Sequence, residues 1–477
     1  MIPARIWTLG LATAVLATVT PRPAAAQRSL AEALRDAERG AYGNRMAAGA
    51  SRAADAQSLA PLKGILPSVR FEAGYVRTTD PIGTFGATLR QRTITQADFA
   101  PDRLNYPSAV GNYQGGVVVE QPIFNADAWA GRQAATRAAD ASHAQEEWTR
   151  LSTRADVVRA WYGAALATER VTMLTSAARA AHAHVTQAEA MVRQGLVTKS
   201  DALLAAVRAG EIDAQLAEAV GGASIARRQL ATLVGAPDAA ADVTPAAQAA
   251  LPEPDRIRAV VAGDTADAAP QQGRADVRAA VRGLSAARAD AQRTRSVYLP
   301  RLNSFARYDW NSADRLYAGD KNWTVGVMAS WSLFAGASDV AELRTAAGRE
   351  ESARAAADAA RARARLDAEE TRTTLAVALT RLTIAEQAVR QSAEAHRIVA
   401  RKYEGGLAGV VELLDAQAAE TQSALGLAQA RYGAIAAAAD RRRALGGDPG
   451  TLVVLDETAA PVASAAPSIT TTDHSSR

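Results

Sequence analysis

Histidine, a common side chain in acid–base catalysis and metal binding, is scarce in this 477-residue sequence. Its histidines are His143, His182, His184, His396 and His474. His182 and His184 are two residues apart, so they do not face each other on a helix. No H-E-x-x-H, G-x-S-x-G or glycine-rich phosphate-binding motif occurs. The sequence therefore predicts neither an enzyme nor a metal or cofactor site.

One acidic pair has a spacing of interest. Glu412 and Asp415 are three residues apart, so a helix would place both carboxylates on the same side. Taken alone, the pair predicts a solvated acidic face of a helix. Any other role depends on the elements that carry it.

The composition favours long helices. Aromatic residues make up only 5% of the chain and alanine dominates its apolar residues, which suits helices that pack closely rather than several thick cores. The 54 lysines and arginines nearly balance 50 aspartates and glutamates, which argues against a nucleic-acid-binding protein. Cysteine is absent, which excludes disulfides, thiol catalysis, a cysteine-based zinc site and lipidation at an N-terminal cysteine.

Residues 1–26 predict a secretory signal peptide. Arg5 precedes an apolar run too short to span a bilayer, and Ala24-Ala25-Ala26 offers a cleavage site of small residues. No later stretch reaches about 18 apolar, uncharged residues, so no transmembrane helix is predicted. The remaining chain is expected to be periplasmic, secreted, or in an outer membrane as β-structure.

Three landmarks recur in the same order and predict a two-fold internal repeat. They are Leu66-Pro67 with Leu299-Pro300, Ile123-Phe124 with Leu333-Phe334, and Gly195-Leu196 with Gly406-Leu407. The last two landmarks are 71 residues apart in one copy and 72 in the other. The first copy has 23 extra residues between its first two landmarks. We assign repeat one to 27–235, a linker to 236–272, repeat two to 273–446 and a tail to 447–477.

Each repeat is predicted to contain a short β-hairpin and a long helical hairpin. Residues 126–194 and 337–404 contain no proline and few glycines, and about 70 helical residues would make a coiled-coil rod of roughly 100 Å. The rods would reverse at tips near 195 and 406. The β-hairpins are expected at about 67–122 and 300–333, where apolar and polar residues alternate.

Aromatic residues at the strand ends favour a membrane over a soluble sheet. Trp323 and Trp331 bound one alternating strand and would lie roughly 26 Å apart, close to the height of a barrel's apolar band. The expected membrane-interface aromatics are Trp310, Trp323, Trp331, Tyr75 and Tyr113. Four strands cannot close a barrel, so the chain must oligomerise. Three copies would give twelve strands, whereas two would give eight, too narrow for an open pore.

This doubled arrangement resembles the TolC family of outer-membrane efflux proteins over essentially the whole chain after residue 26. The resemblance implies a mainly α fold with a small β part. It implies a homotrimer with a 12-stranded outer-membrane β-barrel, a long α-helical coiled-coil barrel across the periplasm, and an equatorial belt from 236–272 and the tail. The polar residues 470–477 are expected to be disordered.

The resemblance also implies a function. The chain would be the exit duct of a tripartite efflux or type I secretion system in a Gram-negative outer membrane, without lipidation. It would contact outer-membrane lipid, a periplasmic adaptor and an inner-membrane transporter, and it would do no chemistry. The alternative is a periplasmic helical adaptor or tethering coiled-coil protein, which should lack the tryptophan-bounded strands and the doubled layout.

The residues of interest lie at the tips. Gly195, Leu196, Gly406 and Leu407 match the family's adaptor-docking turns, although any helical hairpin favours glycine there. Glu412 and Asp415 match positions that form an acidic constriction in the lumen, which in a trimer would favour cations. Tyr403 and Asp201 match a pair that bonds and holds the tips shut. Ala408 stands where the family's best-studied pattern has an arginine, so the latch is expected to differ.

Overall fold

The computed structural model describes residues 29–239, 251–265, 273–316, 318–334 and 336–456. The predicted signal peptide and the predicted disordered tail lie outside these residues. So do 240–250 and 266–272 of the predicted linker.

The described chain is mainly helical with one small antiparallel sheet. The helices are α1 (Leu30–Gly40), α2 (Tyr42–Leu59), α3 (Pro81–Arg90), α4 (Pro101–Asn105), α5 (Ala126–Arg193), α6 (Lys199–Leu233), α7 (Pro254–Val261), α8 (Ala275–Ser296), α9 (Ser338–Glu404) and α10 (Val410–Leu445). The strands are β1 (Ser68–Thr78), β2 (Val110–Phe124), β3 (Arg301–Ser312) and β4 (Asp320–Ser330). None of the helices in the described part of the chain is both long and apolar enough to cross a membrane.

Two long helices set the length of the molecule. At 1.5 Å per residue, α5 and α9 each extend about 100 Å. The half of α5 nearer the sheet packs against α2 and α8, as shown by hydrogen bonds from Thr153 to Asn44 and from Arg282 to the carbonyl of Asp140. The other half packs against α6 and α10. Most buried residues of α5 are alanines, which lets neighbouring helices approach closely.

A second layer of short segments surrounds the middle of α5. Helix α1, residues 251–265 and a 3-10 helix at Pro449–Leu455 share one buried core with Trp161, near the midpoint of α5. The Trp161 indole nitrogen donates to Asp456 Oδ1 over 3.0 Å, and the Leu30 backbone N–H donates to Asp456 Oδ2 over 2.7 Å. These segments include parts of the predicted linker and tail.

The sheet has the order β1-β2-β3-β4 with every pair antiparallel. Pairing joins the two predicted hairpins side by side through β2 and β3. One face is apolar, because Phe71, Val117, Tyr308 and Trp323 fall in one row of paired residues. The residues that alternate with these along each strand point to the opposite face of the sheet, which is polar. Among the described strands, β1 and β4 each have one edge without a partner strand.

The extra residues of the first hairpin form a compact insertion at residues 79–109. It contains α3, a short 3-10 turn and α4. The Asp80 side chain accepts a hydrogen bond from the Gly83 N–H over 2.6 Å and caps α3, and Phe85 packs edge-on against Phe99 with ring centroids 5.8 Å apart.

Candidate functional site at the helical tips

The two helical hairpins reverse through the same turn. Gly195 and Gly406 both have φ +73°, a left-handed conformation that residues with a Cβ rarely adopt. The N–H of Leu196 donates to the carbonyl of Met191, five residues earlier, which is the 6→1 bond of a Schellman motif, and Leu407 donates to Lys402 in the same way. The predicted tip positions are therefore where α5 and α9 end.

The helices that leave the two tips begin differently. Thr198 caps α6 and forms a capping box, in which the Asp201 carboxylate accepts hydrogen bonds from the Thr198 N–H over 3.1 Å and the Thr198 hydroxyl over 2.8 Å. In α10 the corresponding cap is Gly409, which has no side chain. Glu412, the counterpart of Asp201, has no hydrogen bond or ion pair within the described residues. Its carboxylate is therefore available to other groups.

This difference gives a testable prediction. The Gly409→Thr substitution should create a capping box with Glu412, because Gly409 has φ −82° and ψ 162°, which threonine adopts readily, and no atom lies within 4 Å of the added Cβ. We expect roughly a few tenths of a kcal/mol of added stability in the first turn of α10 relative to the native glycine, and about 1 kcal/mol relative to Gly409→Ala, measured as slower hydrogen exchange of its amides. Gly409→Ala is the control, because it lacks the hydroxyl. Equal protection in both variants would contradict the capping explanation.

A small apolar cluster holds four helices together beside the tips. Ala188 of α5, Ala205 of α6, and Val410 and Leu414 of α10 are buried, and Tyr403 of α9 packs against them. The Tyr403 hydroxyl donates to Met191 Sδ over 3.2 Å. The position of each tip is thus fixed by apolar packing within one chain.

Within the single chain described, Tyr403 and Asp201 do not bond to each other. The Asp201 carboxylate is engaged by two donors of Thr198 in its own helical turn, and the Tyr403 hydroxyl contacts Met191 instead. Local capping competes for a carboxylate at this position because its donors are only three residues away.

The predicted acidic pair is exposed and lies beside an arginine. Asp415 Oδ1 is 3.8 Å from Arg208 Nη2 of α6, and Arg208 also bonds to Glu211 over 2.9 Å. The hydrogen bond with Glu211, together with the nearby Asp415, raises the pKa of Arg208. Sequence reasoning missed Arg208, although it lies seven residues after Asp201, two turns along the same face of α6.

The histidines join neighbouring helices. His143 bonds to Asp55 of α2 over 2.9 Å, His182 to Asp213 of α6 over 2.9 Å, and His396 to Glu420 of α10 over 2.5 Å. Among the described residues, no three histidines or carboxylates are grouped closely enough to hold a metal ion. His474 lies outside those residues.

His184 predicts a dependence on pH. Burial, and next the neighbouring His396, lower its pKa, and a hydrogen bond with Gln417 partly offsets this. The folded chain therefore binds fewer protons than the unfolded chain as the pH falls below the ordinary histidine pKa of 6.5. We expect helix packing near the tips to lose stability in that range, measured by thermal unfolding at neutral and mildly acidic pH.

A matched pair of variants isolates this group. His184→Gln should flatten the loss of stability on acidification, because the proton-binding group is removed. His182→Gln, two residues away in the same helix, should retain the contribution of His184. If His184→Gln loses as much stability on acidification as the native chain, another group is responsible.

The predicted interface aromatics lie on or next to the sheet. Tyr75 and Tyr113 are paired across β1 and β2 with ring centroids 4.6 Å apart. A Cβ on Gly115 would lie 2.6 Å from the Trp310 ring, so this glycine makes room for the cross-strand indole. Trp323 is exposed on β4. Trp331, one residue beyond β4, donates its indole N–H to the Tyr298 carbonyl over 2.9 Å.

Comparison with known proteins gives a consistent result. A family model described as outer membrane efflux protein matches residues 22–236 and 270–447. The alkaline protease secretion protein AprF of Pseudomonas aeruginosa is 27% identical over 266 residues, which cover 54% of this chain and 53% of AprF. The chain thus matches about half the length of that relative.

Solved structures show the same fold. The outer membrane channel CmeC of Campylobacter jejuni superimposes with a TM-score of 0.74 at 16% identity, covering 88% of this chain and 86% of that one. The outer membrane protein VceC of Vibrio cholerae gives a TM-score of 0.71 at 19% identity, covering 88% of this chain and 96% of that one.

Proposed function

This chain belongs to the outer membrane efflux protein family, and from that premise we propose that it is an outer-membrane exit duct for efflux or type I secretion. The observation that carries the proposal is the family match, which covers both helical hairpins and both pairs of strands. The likeness to AprF, an alkaline protease secretion protein, adds support for secretion as one of the two roles.

We infer that the duct is a homotrimer built from a two-fold repeat. A four-stranded sheet with one apolar face and two unpaired edges cannot lie in lipid alone, since unpaired backbone groups are costly there. Pairing β4 of one copy with β1 of the next removes both edges, and three copies supply twelve strands. The helices would continue as a barrel across the periplasm, with the segments around Trp161 forming a belt at mid-height.

The tips would form the periplasmic gate. Three copies would bring together six carboxylates from Glu412 and Asp415, beside three Arg208–Glu211 ion pairs. The excess of negative charge would favour cations at the entrance. A latch at these tips would differ from the family's, because Ala408 is not an arginine and Asp201 bonds within its own turn.

The exposed leucines of the tips support docking of a periplasmic adaptor that links the duct to an inner-membrane transporter. In a Schellman motif the residue after the glycine usually packs against its own helix. Here Leu196 and Leu407 remain 65% and 83% exposed, so their apolar surface is available to a partner.

Fractionation and conductance test this function. When produced in a Gram-negative cell, the chain should appear in the outer membrane and be extracted as a detergent-stable trimer. The purified trimer should produce ion-conducting steps in a planar bilayer. Recovery from the periplasm or the inner membrane, without conductance, would instead support the helical adaptor or tethering protein.

A further inference from the structure

The insertion at residues 79–109 is tied to the sheet by a buried chain of amides. Gln91, directly after α3, donates from Nε2 to the Gly111 carbonyl over 2.9 Å and to Asn112 Oδ1 over 2.8 Å. Asn112 in turn donates from Nδ2 to Asn311 Oδ1 over 2.8 Å. Gln91, Asn112 and Asn311 are only 7%, 5% and 4% exposed. Buried amides with satisfied partners fix their neighbours strongly, because losing one partner leaves the others unpaired.

The register shows which face the insertion covers. Asn311 is paired with Gln114 in the polar face, and Asn112 lies two residues from Gln114 on the same side of β2. The side chains of Tyr113, Val117 and Tyr308 belong to the apolar face, which points the other way. Helix α3 therefore lies across the polar face of the sheet, at the end where β1 leads into the insertion.

The insertion reaches across to the far edge of the sheet. Arg92 has φ +56°, an uncommon conformation for a residue other than glycine. This conformation ends α3 and directs the guanidinium toward β4, where Nη2 donates to the Lys321 carbonyl over 3.4 Å and Nη1 lies 3.6 Å from Asp320. Residues 79–109 thus contact β2, β3 and β4, and we call this segment the strap.

A polar cavity lies beneath the strap. It has a volume of about 410 Å³, and Arg90 of α3 lines it together with Glu72, Gln114, Arg307, Asp309 and Thr324. Charged groups of both signs thus face the space between the strap and the sheet.

We propose that residues 79–109 form a second constriction of the duct, at the end of the sheet away from the helices and separate from the periplasmic tips. The inference rests on the proposed duct function, in which the polar face lines the lumen. Three straps would then surround the axis. Ile82 and Leu89, seven residues apart and exposed on one side of α3, would meet the other copies there. The strap would exclude bulky solutes while admitting small ones.

Because the chain has no cysteine, single-cysteine reporters can test the strap without background. Thr324→Cys places a thiol on the wall of the cavity that Arg90 also lines, and Tyr106→Cys places one on the strap, at a residue that is 86% exposed. Intact cells are treated from outside with a small maleimide or a bulky polyethylene-glycol maleimide. Both reagents should modify Tyr106→Cys, whereas only the small one should modify Thr324→Cys quickly.

Loosening the strap should then let the bulky reagent reach the thiol at position 324. Adding Gln91→Ala or Asn311→Ala to Thr324→Cys should raise the rate with the bulky reagent about tenfold, because either change leaves buried amides unpaired. Gln96→Ala, at an exposed glutamine of the strap, is the matched control and should not change the rate.

The outcomes separate the two proposals. If the bulky reagent modifies Thr324→Cys as fast as Tyr106→Cys in the otherwise native chain, the strap is not a constriction, while the duct function stands. If Tyr106→Cys reacts only after cells are lysed, the outer-membrane function is overturned, and the inference with it.

Discussion

The Arg431→Ala substitution should release residues 251–265 from the middle of the molecule. Arg431 donates to the carbonyls of Pro252, over 2.9 Å, and Leu251, and its Nη1 bonds to Glu169 over 2.9 Å. The Arg431 and Glu169 side chains are only 8% and 16% exposed. Removing one partner of such a buried pair costs about 3–5 kcal/mol, because the other charge stays buried and unpaired. Limited proteolysis with mass spectrometry should detect new cleavage within 251–265.

Two further variants test the explanation. Arg397→Ala breaks the exposed pair with Glu394 and should cost no more than about 1 kcal/mol. Adding Glu169→Gln to Arg431→Ala removes the unpaired charge and should recover part of the lost stability. Equal protease resistance of Arg431→Ala and Arg397→Ala would show that the buried arginine does not anchor this segment.

Neutralising Glu412 and Asp415 together should change the ion selectivity of the duct. Glu412→Gln with Asp415→Asn would leave Arg208 and its partner Glu211 as the charged pair next to position 415. With six carboxylates removed from the proposed trimer, the preference for cations should fall at least about tenfold, since even one charge at about 4 Å from a permeating ion in water contributes roughly 1 kcal/mol. Each remaining Arg208 guanidinium is paired with Glu211 over 2.9 Å, so a loss of cation preference is expected without a reversal to anion selectivity. The reversal potential of a planar bilayer under a salt gradient measures this change.

Further substitutions show which charged side chains set the ion selectivity that remains. Adding Arg208→Gln should restore part of the cation preference, because it leaves the Glu211 carboxylate without its partner. Glu394→Gln, a neutralisation on an exposed part of α9, should leave the potential unchanged. A normal cation preference in the Glu412→Gln, Asp415→Asn variant would place the selective constriction elsewhere.

The helices and tips could be predicted because the signals are local. A proline-free stretch bounded by Gly195 or Gly406 specifies where a long helix ends, since the Schellman turn needs a left-handed residue. The strands followed from alternation, which depends only on which face meets an apolar environment. Both kinds of signal lie within a few residues of the element they define.

Contacts between distant elements could not be predicted in this way. Gln91 is linked to Asn311 through Asn112, although Asn112 and Asn311 are 199 residues apart in the chain. Arg431 is one of several arginines in the alanine-rich helix α10. Its role as an anchor depends on backbone carbonyls of the segment at Pro252, 179 residues away. The Tyr403–Asp201 bond was predicted from family resemblance, but Thr198 competes for the carboxylate in this sequence. The arrangement of side chains from several elements had to come from the structure.

The bonds that Asp456 makes with Trp161 and with the backbone of Leu30 constrain the order of folding. The first helix is fastened by a residue 426 positions later in the chain. A polypeptide that enters the periplasm amino-terminus first can form local helices as it emerges, but contacts of such long range must wait for the distant partner. In such a polypeptide the core around Trp161 is therefore completed late, after Asp456 has been translocated. Until then, the alanine-lined grooves around Trp161 stay open and need protection from aggregation.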